Sequence, residues 1–109
     1  GNLTLSESDM NITKNIRMTE WLKCELLSGV SSLFELCFKG VKSSQDAIMD
    51  VLANIIMVTY LIGKRLGVNY TDVDKKLENK LKLGIIEEHE AEKWFGDLSD
   101  LSHYIKNNR

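Results

Sequence analysis

The sequence predicts an all-α helical bundle: two long antiparallel helices followed by two or three shorter ones. Three observations carry this. The 109 residues contain no proline, the residue least compatible with a helix interior. Hydrophobic residues make up 43% and charged residues 28%, the balance of a helical protein with a modest core. One stretch, Ser44 to Gly67, contains a run from Val51 to Gly63 with no charge at all. A helix that is apolar nearly all round must bury itself among others, so this stretch is expected to be the central rod of the bundle.

The first ten residues, GNLTLSESDM, are polar and mixed and read as a loosely ordered arm, leaving residues 11–109 as one helical domain. A first helix is expected to start between Asn11 and Thr19 and to run to Phe38, ending at Gly40. Ile12, Ile16, Trp21, Leu22, Leu26, Val30, Leu33, Phe34 and Cys37 recur along it at the helical period. Its SGVSS segment, Ser28 to Ser32, holds poor helix formers whose small side chains let another helix approach closely. The link from Lys39 to Ser43 is short, so the first and central helices should form an antiparallel hairpin.

The central helix has its own start and stop signals. Ser43 and Ser44 offer an N-cap hydroxyl, Asp46 puts negative charge in the first turn, Lys64 and Arg65 close the last turn, and Gly67 suits the left-handed position beyond it. Asn54 stands mid-helix among Leu52, Ala53, Ile55 and Ile56, where an amide needs partners. With Asp46 and Asp50 it makes a polar stripe at four-residue spacing. A third helix is expected from Asp72 to Leu83, capped by Thr71 and stopped by Gly84. IIEEHEAEKWF reads as a short fourth helix, and GDLSDLSHYIKNN as a last turn or two capped by Asp97 or Ser99.

Charge and cysteines narrow the function classes. A net charge of −2 gives no global attraction to nucleic acid or anionic membrane, and neither partner is expected. Cys24 and Cys37 share the first helix, about 20 Å apart at helical rise and far beyond disulfide reach. They read as reduced core or interface thiols. No signal-peptide pattern is visible, and the charge-free run around Met57 is short for a bilayer span, so a cytoplasmic location is expected.

LANIIMVTYLIGKRLGVNY resembles the second long helix of the MazG-like all-α nucleotide pyrophosphohydrolases, which reads E-x-x-D-V-L, an apolar run, then R-L-G-I. Matching Arg65-Leu66-Gly67-Val68 to that ending puts Asn54 at the family's metal-binding Asp and Val51 at its Glu, with Asp50 one position off. HEAEKWFGDLSDLSHYI and EWLKCELLSGVSSLF, together with KRLGVNY, are similar to a small MazG-like branch of spore-forming bacteria with altered metal-ligand motifs. These pieces span most of residues 12 to 105.

The resemblance implies a Mg²⁺-dependent hydrolysis of nucleoside triphosphates to monophosphate and pyrophosphate. Two helices there contribute E-x-x-E and E-x-x-D, hard oxygen ligands that hold the cation against the phosphates. Here Glu25 is followed by Ser28 where a second Glu would stand, so Glu25 and Asp50 remain as candidate ligands for Mg²⁺ or Mn²⁺. Asn54, Lys76 and Lys80 are the candidate substrate contacts. The resemblance also implies dimers or tetramers of this chain, for which Trp21, Phe34, Trp94 and Phe95 are candidate exposed apolar residues. Bland readings stand beside these. Asp46 is an ordinary first-turn acid, Asp50 and Asn54 serve as polar contacts to the first helix, and Lys76 and Lys80 lie on a solvated face with Asp72, Asp74 and Glu78. His89 and His103 have no zinc spacing. Two functions follow: a pyrophosphohydrolase, or a catalytically degraded relative that binds a nucleotide or a protein. Convergence of Glu25, Asp50 and Asn54 on one open cleft would favour the first.

Overall fold

The computed structural model describes residues 7–40 and 44–108, and helix is the regular structure found among them. The order is α1 (Glu7–Lys39), α2 (Gln45–Arg65), α3 (Tyr70–Ile86), α4 (Glu90–Phe95) and α5 (Asp97–Asn108). Two compact units divide the chain, Gly1–Asn69 with the two long helices and Tyr70–Arg109 with the three shorter ones.

In the first unit α1 begins at Glu7, ahead of the expected start, so residues 7–10 are helical rather than part of an arm; residues 1–6 lie outside the described residues. Glu7 and Asp9 explain the early start, since acids in a first turn oppose the helix dipole. The Thr13 hydroxyl adds a bond to the Asp9 carbonyl at 3.0 Å. α2 opens where the sequence places it. Ser44 is the N-cap, and its hydroxyl accepts from the Ala47 N–H at 3.0 Å; Ser43 lies outside the described residues. Gly67 takes a φ of +83°, which turns the chain so that the Val68 N–H meets the Gly63 carbonyl at 2.9 Å.

The two long helices pack antiparallel along a seam with a seven-residue repeat. Asn15, Leu22, Gly29 and Leu36 form it on α1, and all are buried or half-buried. Ile48, Ile55 and Ile62 form it on α2, with Val51, Val58 and Arg65 beside them, again buried or half-buried. A repeat of seven keeps one line of side chains facing the partner helix. Leu22 and Val58, each 2% exposed, are its best-buried side chains. A Cβ built on Gly29 would stand 3.1 Å from Ile55 Cγ1, so the small residue inside SGVSS marks the closest approach. At the other end Asn15 clamps Arg65. Its amide donates to the Arg65 carbonyl at 3.0 Å, and Arg65 Nη1 donates to Asn15 Oδ1 at 3.0 Å. The first bond satisfies one of the carbonyls left open at the end of α2.

One expectation is corrected here. α2 is not enclosed on all sides: Val58 is its buried residue, while Met49, Leu52, Ile56 and Met57 are exposed. Charge-free sequence alone does not distinguish a helix covered by its own chain from one with a face left open. Counted with its charged ends, α2 has 21 residues and a mean hydropathy of 1.6 over its most apolar window. By length and composition it is therefore long and apolar enough to cross a membrane, contrary to the reading from the charge-free run alone. Cys24 and Cys37 are free, as expected, and both are exposed on α1, which rules out the core alternative for them.

In the second unit α3 starts at Tyr70, so Thr71 lies inside the helix rather than capping it. It also runs through Gly84 to Ile86. This glycine is a contact rather than a stop: a Cβ there would fall 2.5 Å from Leu98 Cδ1 of α5. α4 is capped by His89, whose Nδ1 accepts from the Ala91 N–H at 3.0 Å. Gly96 at φ +68° turns directly into α5. Leu81 and Ile105 are the buried residues of α3 and α5. Trp94 and Phe95 are exposed and meet edge to face with centroids 6.4 Å apart.

Candidate functional site

The seam gives the hairpin two sides, and helical periodicity assigns residues to each. On α1, positions seven apart to one side of the seam are Lys14, Trp21, Ser28 and Glu35, with Glu25 and Ser32 nearer the seam. On α2 the matching line is Ala47, Asn54 and Leu61, with Val51 nearer the seam and Asp50 further round. In an antiparallel pair these two lines lie on the same side, because the sense of rotation reverses with chain direction. Glu25, Ser28, Asn54 and Asp50 therefore share one side of the hairpin. The opposite side carries Ile16, Lys23, Val30 and Cys37, with Glu20, Leu27 and Phe34 beyond them, against Met49, Leu52 and Ile56 of α2; apart from the Lys23–Glu20 ion pair it is apolar. Leu27 and Phe34 are 73% and 72% exposed, so this apolar side is largely bare.

Heights along the hairpin follow from two contacts, Asn15 with Arg65 and Gly29 with Ile55. They place Asn54 level with Ser28, Asp50 level with Ser32 and Arg65 level with Arg17. At helical rise Glu25 then stands about 4 Å from the height of Asn54 and about 10 Å from that of Asp50. Glu25 and Asn54 are half-buried, and Asp50 and Ser28 are exposed. The four positions that converge are 25, 28, 51 and 54, occupied by Glu25, Ser28, Val51 and Asn54. Asp50 belongs to the same side but faces further round α2 and sits lower along it.

The polar atoms at these positions are open to water. Among the described residues, the side chains of Glu25, Asp50 and Asn54 have no hydrogen-bond partner or ion pair, and no buried side-chain polar atom is left unsatisfied. Asn54 is thus not sealed against the first helix; its amide is accessible to solvent. No cluster of three or more His, Cys, Asp or Glu side chains that could hold a metal ion occurs among the described residues. Lys76 and Lys80 are exposed on α3, in the second unit. A hollow of about 530 Å³ lies on α1 between Glu20 and Val30, lined also by Lys23, Cys24, Leu26 and Leu27. It includes none of the candidate site residues.

Two groups outside the site have displaced pKa values, both from local hydrogen bonds. Lys23 is raised by its bond to Glu20 Oε1 at 2.9 Å and by that carboxylate's charge. Glu92 is lowered because its carboxylate accepts from both the hydroxyl and the N–H of Ser99 at the start of α5. Sequence reasoning passed over this Glu92–Ser99 link, the His89 cap and the Asn15–Arg65 clamp. The available signal for the clamp was an amide at a seam position seven residues before Leu22.

No curated protein and no solved structure matches the chain. A family model, described as the MazG-like family, matches residues 12–98.

Proposed function

The chain belongs to the MazG-like family, and from that premise we propose that it binds a nucleoside triphosphate on the polar side of the α1–α2 hairpin without a complete hydrolytic centre. One observation carries this reading: the four convergent positions supply a single carboxylate, Glu25, beside Ser28, Val51 and Asn54. Mg²⁺ requires hard oxygen ligands in near-octahedral geometry, with one or two carboxylates among them. Val51 offers no oxygen, and Ser28 and Asn54 offer no charge. This donor set does not fit the dication that the family resemblance implies.

A second reading is favoured by Asp50. It is the acid nearest Asn54 on α2 itself, so Glu25 and Asp50 could together hold Mg²⁺ or Mn²⁺ with waters and substrate phosphates. Asn54 would then contact the substrate, and the chain would be an active pyrophosphohydrolase. Pyrophosphate release from a panel of NTPs and dNTPs with Mg²⁺ or Mn²⁺ separates the two, with Asp50→Ala purified identically as control. The first reading expects equal background in both preparations, with nucleotide binding still measurable by calorimetry. Release that Asp50→Ala abolishes would overturn it in favour of the hydrolase.

Self-association belongs to the same proposal. The bare apolar side of the hairpin supports a homo-oligomer, a dimer or tetramer, in which Phe34, Met49, Leu52 and Ile56 are covered. A cytoplasmic setting fits two exposed, unpaired cysteines.

A further inference from the structure

The polar side of the hairpin is not uniform along its length. Its acidic part runs from Glu25 to Glu35 and takes in Asp50, whereas the part near the end of α2 is cationic and carries an aromatic ring. Arg17 on α1 shares the height of Arg65 on α2 but, two residues after Asn15, faces further round towards the outside of the hairpin; Lys14 lies one turn beyond and Trp21 one turn nearer Glu25, both closer to the seam. Trp21 is 58% exposed, although Leu22 beside it is fully buried. Next to Trp21, at the same height on α2, is Leu61, with Met57 a turn away.

The charges at this end are not cancelled locally. Arg17 and Lys14 are exposed and form no ion pair among the described residues. Glu20, three residues after Arg17 and so its neighbour on the outer face of α1, is engaged by Lys23 at 2.9 Å. Arg65 is held in place by the Asn15 clamp through Nη1 at 3.0 Å. A guanidinium has five donors in a planar fork, so Arg65 keeps N–H groups for an incoming anion while its position is fixed from behind.

We infer that this end binds the phosphates of the nucleotide, with Lys14, Arg17 and Arg65 as the anion contacts and Trp21 as the platform on which the base stacks. The inference rests on the nucleotide-binding reading above and gives the ligand a direction. Without a dication, the phosphate tail is repelled by Glu25 and Asp50 and drawn to the cations. Trp21 to Arg17 spans about 6 Å along the helix and Glu25 lies about 12 Å from Arg17, beyond the Debye length of about 8 Å at physiological salt. The tail can therefore reach the arginines without approaching the acids. Arginine forks suit phosphate oxygens, and base stacking on an exposed indole tolerates any base.

The test uses Trp94→Phe, in which Trp21 is the only tryptophan, titrated with ATP in EDTA and followed by tryptophan fluorescence and by calorimetry. Saturable quenching is expected without metal, with Kd raised at least tenfold by Arg17→Ala and unchanged or lowered by Asp50→Ala. Adenosine should bind at least tenfold more weakly than ATP, and inorganic pyrophosphate should compete. Arg17 is exposed, and an unchanged urea midpoint for Arg17→Ala would show the variant to be folded. If ATP binds calorimetrically but Trp21 is not quenched, or Arg17→Ala binds as tightly as its parent, this inference is overturned while the binding reading survives. Absence of calorimetric ATP binding with and without Mg²⁺ overturns both.

Discussion

The two sides of the α1–α2 hairpin share the same helices and the same seam yet present opposite chemistry. On one side Ile16, Val30 and Phe34 face the same way as Met49, Leu52 and Ile56, and nothing in the described chain covers them fully. On the other, Lys14, Arg17, Trp21, Glu25 and Ser28 stand with Asn54, Asp50 and Arg65. Exposed apolar area of that extent is costly in water and is usually an interface, whereas exposed charges are already solvated and need no partner to be stable. The difference teaches where to look for each property: association on the apolar side, ligand chemistry on the polar side. A variant should be able to remove one and leave the other.

The largest effect is expected at the seam that both sides share. Gly29→Leu forces a branched side chain against Ile55 and should cost roughly 3 kcal/mol of unfolding free energy, the upper end for overpacking. Urea denaturation at several protein concentrations would measure it. Next is Ile56→Glu on the apolar side, which places a charge in the proposed interface. Analytical ultracentrifugation should show the dissociation constant of the oligomer raised on the order of 100-fold, about 2.7 kcal/mol, with ATP binding unchanged. Loss of ATP binding alongside the oligomer would show that the two sides are not separable. Asn15→Ala removes both bonds of the clamp and should cost about 1–2 kcal/mol, the range for exchanging paired for unpaired polar groups.

The smallest effect lies in the second unit and serves as a control. Glu92 is stabilised in its charged form by the Ser99 bonds, so its folded pKa is below the usual glutamate value of 4.5. Such a group adds stability that is complete above the unfolded pKa and disappears as pH falls through the lowered folded value. Glu92→Gln should therefore flatten the acid limb of stability below about pH 4.5 without touching association or ligand binding. A wild-type acid limb that the variant leaves unaltered would mean that the bond contributes nothing in solution.

Much of the fold was legible because its signals are local. Ser44, the Lys64-Arg65 pair and Gly67 bracket α2 as their capping chemistry requires, and SGVSS marks the close approach through Gly29. Gly84 misled for a physical reason. A glycine after an apolar run reads as a stop, but here it makes room for Leu98, a contact made across fourteen residues of chain. The start of α1 is hard to see in the sequence because Glu7 and Asp9 stand in a polar, mixed stretch, ahead of the first apolar residues that recur at the helical period. For the site, one sequence is enough to list acids and cannot say which face they occupy. Helix register supplies that, and it separates Asp50 from Asn54 although both belong to one polar stripe.

The seam itself is nearly translationally symmetric. Ile48, Ile55 and Ile62 repeat at intervals of seven, and Val51 and Val58 do the same, so sliding one helix by a heptad would still set isoleucine against the same kind of groove. Such a slip would carry every residue of α2 about 10 Å past α1 and break up the polar side. Only unlike features can forbid it: the gap at Gly29 that admits Ile55, and the amide of Asn15 that fits the end of α2 at Arg65. These two contacts act as a key cut into an otherwise repeating track. Neither touches a ligand, and together they decide which side chains can meet one.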